Sequence, residues 1–238
     1  MSAPLHHILF LDIETVPQYA DYHSLPKEWL ALWDLKSASL LKYHEEETTE
    51  TIYHRAGIYA EFGKIICISC GVIQGSGDTK KIILKSFYGD DEKLVLSDFC
   101  EMIKKWSGSD QKYLCAHNGK EFDYPYLCRR LIINNLSVPS ILNISGKKPW
   151  EVAHFDTLEL WKFGDYKHYT SIKILAKIFG IPTPKDDIDG SQVRSVYYEQ
   201  GDLDRIEIYC KKDVATVARL LQCYKGEQPV GDEQVVYV

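Results

Sequence analysis

The sequence predicts an α/β protein built on a mixed sheet, and three observations carry that reading. A short apolar run, His7 to Leu11, leads straight into Asp12, the pattern of a buried strand with a functional residue at its far end. Two β-rich stretches, Lys64 to Ile73 and Lys80 to Tyr88, flank the turn sequence QGSGDT, which suggests an antiparallel meander. After them, strand-like and helix-like segments alternate, as parallel strands with helical crossovers require. The expected sheet has five strands, three antiparallel and then parallel ones, flanked by helices.

Each element follows from local chemistry. Between the first two strands lies a long insertion, residues 17–62, whose aromatic and leucine positions from Trp29 to Leu41 suit a helix. The charged stretch HEEETTE after it reads as mobile. The segment DDEKLVLSDFCEMIKKW has acids at its start and lysines at its end, with apolar residues at Leu94, Val95, Phe99, Met102 and Ile103. That is an amphipathic helix whose dipole is complemented at both ends. A short strand, Lys112 to Ala116, feeds HNGKEFD and a helix from Asp123 to Asn134. The Pro/Gly/Lys-containing loop from Ser137 to Trp150 reads as a flexible, substrate-facing excursion. HFDTL begins as a strand and passes into a short helix; SIKILAKIFG is capped by Thr170 or Ser171 and stopped by Gly180. The last helix opens at Asp202 and carries Leu203, Ile206, Val214, Val217, Leu220 and Leu221.

With 238 residues, 45% of them hydrophobic and 26% charged, the chain is expected to form one domain over 1–238, its core at about 7–224. A net charge of −6 argues against a broad basic surface as the main means of holding nucleic acid. It leaves room for a local acidic centre with a modest basic rim, for which Arg129, Arg130, Lys147, Lys148, Lys162, Lys167 and Lys173 are candidates. The seven cysteines show no disulfide spacing, and no apolar run is long enough to span a membrane, so a reducing cytoplasmic location is expected. Cys67 and Cys70 lie inside a strand-like run and read as buried strand residues rather than zinc ligands.

Acidic residues at three separated places carry the chemistry: Asp12 and Glu14 in FLDIET, Asp123 in HNGKEFDYPYL, and Asp213 in YCKKDVATV. Strand alternation puts Asp12 and Glu14 on one face, within reach of one cation. Tyr209 and Asp213, four apart on a helix, also share a face. Gathering these carboxylates is costly unless cations neutralise them, and all-oxygen donors suit magnesium or manganese.

In this order the three motifs resemble the proofreading 3′-to-5′ exonucleases that use four acidic residues and a tyrosine, the DEDDy class, on a ribonuclease H-like fold. EFGKIICIS, HNGKEFDYPYL and YCKKDVATVARL are similar, more narrowly, to stand-alone exonucleases related to the exonuclease domain of family B DNA polymerases. The resemblance covers about His7 to Tyr224. It implies that Asp12, Glu14 and Asp213 hold one of two divalent cations, Mg²⁺ or Mn²⁺, with Asp12 bridging to a second that Asp123 supports. It implies that Tyr209 orients the attacking water, and that Thr15, Asn118 and Phe122 contact substrate. Tyrosine, with an ordinary pKa near ~10, is a poor general base at neutral pH, so positioning is its expected role.

The implied reaction is hydrolysis of the terminal phosphodiester of a single strand, DNA favoured over RNA, releasing nucleoside 5′-monophosphates. No polymerase segment follows the third motif, so proofreading in cis is not expected. The 17–62 insertion and the 137–150 loop carry no assignment from the sequence; choosing the substrate and contacting another protein are both open to either. A catalytically silent nucleic-acid-binding or partner-docking module on the same fold is the alternative; retention of the acids and the tyrosine speaks against it. Asp156 reads as a helix N-cap or as a support behind the site. His117 and His168 are assigned no catalytic role, because the third motif carries Tyr209 where the sister class has histidine.

Overall fold

A computed structural model describes residues 3–108, 110–165, 169–182 and 188–238. Lys167 and His168 lie outside the described residues. Strand β1 (Ile8–Pro17) pairs antiparallel with β2 (Gly63–Gln74), which pairs antiparallel with β3 (Lys81–Tyr88). On its other side β1 runs parallel to β4 (Tyr113–Ala116), and β4 to β5 (Phe155–Asp156). A sixth strand, β6 (Val235–Tyr237), lies parallel to β3 and completes the order β5-β4-β1-β2-β3-β6. Among the described residues the sheet thus has one strand more than the five expected. Three residues, Val-Val-Tyr, are too few to display a period of two, so β6 left no mark in the sequence pattern.

Helices cover both faces. On one, α2 (Glu92–Trp106) and α3 (Asp123–Ile133) bury Phe99, Ile103, Leu127 and Leu131 against Leu9, Leu11, Ile13 and Ile68. On the other, α7 (Leu203–Tyr224) crosses β1, β2 and β3 and seats Val214, Val217, Ala218 and Leu221 against Ile8, Phe10 and Leu84. Short helices α4 (Thr157–Lys162) and α5 (Ile172–Ile178) pack beside the C-terminal half of α7. Their starts bear the expected caps, Asp156 and Ser171, as α7 bears Asp202.

The insertion builds a core of its own. Helix α1 (Lys27–Leu40) turns Trp33 inward, edge-on to Tyr53 at 5.1 Å and to Phe62 at 5.2 Å, and its Nε1 donates to the Thr49 carbonyl at 2.9 Å. The HEEETTE stretch is folded into turns by Thr48–Thr51 hydrogen bonds and by Glu50 on His23. The chain re-enters the sheet at Gly63, where a Cβ would stand 2.2 Å from the Tyr126 hydroxyl and 2.6 Å from the Gly57 carbonyl. Only glycine fits that crossing. The Ser137–Trp150 loop packs on α3: Leu142 is buried, its carbonyl accepts from Cys128 Sγ at 3.2 Å, and the Ile141 carbonyl meets His154 Nε2 at 2.8 Å.

A stretch with no sequence signal precedes α7. Helix α6 (Val193–Ser195) widens into a π turn over Val196–Gln200. Its tyrosines tie three elements together. Tyr198 donates to the Pro17 carbonyl at 2.6 Å, while Tyr197 donates to Asp90 at 2.6 Å and accepts from Lys64 at 2.8 Å.

Candidate active site

β1 carries the first two acids into the middle of the sheet. Asp12 lies opposite Ser69 and Glu14 opposite Cys67 on β2, so both carboxylates sit on the α7 face. The register slips between Glu14 and Thr15, leaving Ile66 as an extra residue on β2. A bulge of this kind turns two successive side chains to one side. Ile66 and Cys67 both join Val16, Ile206 and Cys210 in one apolar cluster, while Ile65 and Ile68 pack on the opposite face. The floor beneath Glu14 is therefore apolar. Cys70, on the other face, cannot join Cys67 at a metal; both thiols are buried as expected.

Helix α7 supplies the opposing wall. Tyr209 and Asp213, one turn apart, meet the acids of β1, and the Tyr209 hydroxyl donates to the Asp213 carboxylate. Between them Cys210 is buried, its Sγ 3.4 Å from Asp12 Oδ2 and 3.5 Å from the Asp12 carbonyl. The donor atoms of Asp12, Glu14 and Cys210 lie within 4.8 Å of one another. Cys210 is a neighbour that motif spacing did not reveal. Its signal is its place in the inward register of α7, one turn after Ile206 and one before Val214.

Asp123 arrives from the far side. β4 pairs with β1 only through Ile8 to Phe10, and past that point the Ile13 backbone N–H hydrogen-bonds to the Asp123 carboxylate at the start of α3. The loop before it turns at Asn118, whose φ of 66° is left-handed, a conformation that asparagine tolerates. Its carbonyl accepts from Phe122 N–H at 3.0 Å. Phe122 is half-buried, tilted against Tyr126 at 5.4 Å. Thr15 points away from Glu14 toward α3, where its hydroxyl bonds that of Tyr126, itself a donor to the Gly57 carbonyl at 2.7 Å.

Electrostatics set this cluster apart. Burial raises the pKa of Asp12 well above the usual carboxylate range, and the charges of Asp123 and Asp213 add to it. Glu14 is raised by burial and then by Asp12 and Asp213. Asp123 is pushed up to about 7, chiefly by burial, with Asp156 contributing. Burial and the surrounding carboxylates raise the Tyr209 phenol far above its ordinary value, so it stays neutral and can act as a hydrogen-bond donor or acceptor but not as a phenolate base. The donor set fits a divalent cation. Glu14 and Asp123 are buried and Asp12 half-buried, each is raised by burial and by neighbouring carboxylates, and none of the three pairs with a lysine or arginine among the described residues. A hard cation reverses that cost.

The basic candidates divide. Arg130 is no rim residue: it is 3% exposed and clamped to Glu92 through Nε at 2.8 Å and through Nη2. Its position on α3, three residues after Leu127 and one before Leu131, turns it into the core. Arg129, Lys147, Lys148 and Lys173 are exposed. Lys162 lies over the Tyr169 ring at 4.2 Å. His117 is a structural partner of Thr157, Nδ1 to Oγ1 at 2.9 Å, and burial lowers its pKa. Asp156 is both cap and support: Oδ1 accepts from Leu158 and Glu159 on α4 and also from the backbone N–H of Asn118.

A central β1 with acids on one face, a parallel β4 and a crossing C-terminal helix define the ribonuclease H-like exonuclease class. The chain belongs to the family described as "Predicted 3'-5' exonuclease related to the exonuclease domain of PolB", whose model matches residues 58–223. Among solved structures, the family B DNA polymerase of the hyperthermophilic archaeon Pyrobaculum calidifontis shares the fold, with a TM-score of 0.52 at 14% identity over 92% of this chain. The match takes up 25% of that polymerase, so the chain spans about a quarter of its length. No curated protein matches the chain. No described helix is long and apolar enough to cross a membrane.

Proposed function

We propose that the protein is a metal-dependent 3′-to-5′ exonuclease that removes nucleoside 5′-monophosphates from single-stranded nucleic acid, DNA in preference to RNA. The observation that carries this is the convergence of Asp12, Glu14, Asp123, Tyr209 and Asp213, from three separate elements, on one buried patch in a chain of this family. Asp12, Glu14 and Asp213 would hold one divalent cation, Mg²⁺ or Mn²⁺, and Asp12 with Asp123 a second. Bound there, such cations supply charge neutralisation at the phosphate and a water acidic enough to be deprotonated near neutral pH.

The protein's own groups do the rest. Tyr209, neutral and bonded to Asp213, offers its hydroxyl oxygen to orient the attacking water in line with the terminal phosphate. Asn118 at the left-handed turn and Phe122 beside it face the terminal nucleotide, one by hydrogen bonding and one by packing, and Thr15, whose hydroxyl is held by Tyr126, is the third substrate contact. The apolar floor of Ile66, Cys67 and Ile206 excludes water from beneath the carboxylates and strengthens their hold on a cation. Single strands are favoured because the last nucleotides must be unpaired to enter a recessed site. The whole of 1–238 serves as one unit, since β1 lies at the centre of the sheet and the 17–62 insertion returns directly into β2. We place it in the cytoplasm, on the strength of its seven unpaired cysteines.

The test is hydrolysis of a 5′-labelled single-stranded DNA oligonucleotide beside its RNA counterpart, with Mg²⁺, with Mn²⁺ and with chelator. A metal-dependent ladder shortening from the 3′ end is expected. Binding without cleavage on either strand would overturn the enzyme and leave a binding module.

A further inference from the structure

We propose that Asp156 is a positioning residue for this nuclease, holding the loop that presents Asn118 and delivers Asp123; the inference deepens the exonuclease reading and rests on it. Asp156 is 3% exposed and ends the edge strand β5. Its role as N-cap of α4 uses Oδ1 toward Leu158 N–H at 3.0 Å and Glu159 N–H at 3.2 Å. A cap requires no more than that.

Yet the same carboxylate reaches across to a different segment, accepting from Asn118 N–H at 2.9 Å through Oδ1 and from Lys120 N–H at 3.1 Å through Oδ2. Two further ties run in parallel from the start of α4 to the same loop. His117 Nδ1 meets Thr157 Oγ1 at 2.9 Å, and Lys120 Nζ pairs with Glu159 at 2.6 Å. The loop then passes its geometry on: Tyr124 N–H bonds the Gly119 carbonyl at 2.9 Å, fixing the first turn of α3 and with it Asp123.

The physical need is clear from the backbone. Residues 117–122 bridge β4 and α3 with no ladder partner, and Asn118 sits at φ 66°, a conformation that costs free energy unless its surroundings impose it. A buried carboxylate accepting two backbone N–H groups from this loop supplies that constraint with charge-assisted hydrogen bonds. It also satisfies amides that would otherwise be left without partners. Asp91 on α2 offers the contrast: it caps through Leu94 N–H alone and touches no part of the site.

Asp156→Ser separates the two duties, because serine caps a helix well but has one oxygen where the loop needs two. In the full-length protein with Mn²⁺ and a labelled single-stranded oligonucleotide, Asp156→Ser is expected to raise KM about tenfold and to raise the Mn²⁺ concentration for half-activity. Asp91→Ser is expected to leave both unchanged. Asn118→Ala should add little to Asp156→Ser, since one acts through the other. Equal KM and Mn²⁺ response in the two serine variants, or fully additive effects with Asn118→Ala, would overturn the proposal.

Should Asp156→Ser fail to fold, Asp156→Asn keeps the Oδ1 contacts and turns an amide donor toward Lys120 N–H. A smaller shift in the same direction supports the positioning role, and parent-like KM and Mn²⁺ response overturns it. Amide hydrogen exchange gives a reading free of activity: faster exchange at Asn118 and Lys120 in Asp156→Ser supports the strap, and unchanged exchange overturns it. A parent enzyme that cleaves nothing would strike the exonuclease reading, while the exchange result still decides the strap.

Discussion

Two buried acidic places in this molecule are built in opposite ways. Glu92 receives Arg130 on both oxygens, the Asn134 amide at 2.9 Å and the Ile65 N–H at 2.7 Å, while Arg130 also donates through Nη1 to the Ala60 carbonyl. Glu14 and Asp123 lie equally deep with Asp12 half-buried between them, and the charged neighbours that act on the three are other carboxylates, Asp213 and Asp156 among them. The fold is thus able to neutralise a buried carboxylate with its own side chains, and for these three acids it does not do so among the described residues. One place is closed and serves stability, joining α2, α3, β2 and the end of the insertion. The other, on the proposed reading, is completed by the cations it holds.

The largest effect expected from this contrast is on turnover. Asp12→Ala should lower cleavage by at least about three orders of magnitude, as removal of a group acting directly on the reaction does. Near-normal turnover of a folded variant, measured on the labelled single strand, would break the assignment. Its mirror image is Arg130→Met, which leaves Glu92 buried without a cation and should cost about 3–5 kcal/mol of stability. Urea unfolding reads this directly, and a loss below about 1 kcal/mol would make the clamp dispensable.

Tyr209→Phe comes next, with turnover down by one to a few orders of magnitude and metal affinity retained. A parent-like rate at every pH would return Tyr209 to a packing role. Smaller again is the effect of pH on the metal-free protein. Asp123 holds its proton up to about pH 7 in the native state, whereas an unfolded aspartate releases it near ~4. The native state therefore binds more protons across that window, and stability must fall as pH rises through it.

Thermal unfolding in chelator should show a Tm that drops from pH 5 to pH 8, and Mn²⁺ should flatten the slope. A Tm that ignores pH in chelator would mean that the site acids are compensated within the protein. The smallest effect sharpens the contrast most. Asp12→Asn should raise the metal-free Tm by roughly 2–4 °C, what about 1 kcal/mol gives in a domain of this size. The equivalent change at the closed place, Glu92→Gln, should lower it.

Much of this was legible in the sequence because the informative residues sit where local rules are strong. Asp12 and Glu14 end an apolar run, Asp123 opens a helix, and Tyr209 and Asp213 share a helix face; strand and helix periods alone pair Asp12 with Glu14 and Tyr209 with Asp213. What escaped depends on pairing across the chain. The Ile66 bulge exists only relative to β1, and β6 only relative to β3. Arg130 looks like a surface basic residue until Glu92, 38 positions earlier, is set beside it. Cys210 was hidden for a related reason, since it looks complete locally as an apolar helix position, whereas Asp156 was legible as a cap or a support and only its contacts to Asn118 and Lys120 show it to be both.

The lengths of the strands bear on how copies of the protein behave toward one another. β1 and β2, at the centre, run 10 and 12 residues, while the outermost strands β5 and β6 have two and three. A long, flat outer strand offers a row of unpaired backbone groups on which another chain can extend the sheet, and very short ones offer almost none. Beyond the reach of β6, β3 continues with Lys85 and ends at Tyr88, whose hydroxyl is held by Asp204 at 3.2 Å. Loss of the last few residues would uncover the whole eight-residue flank of β3, and concentrated samples would then tend to associate edge to edge.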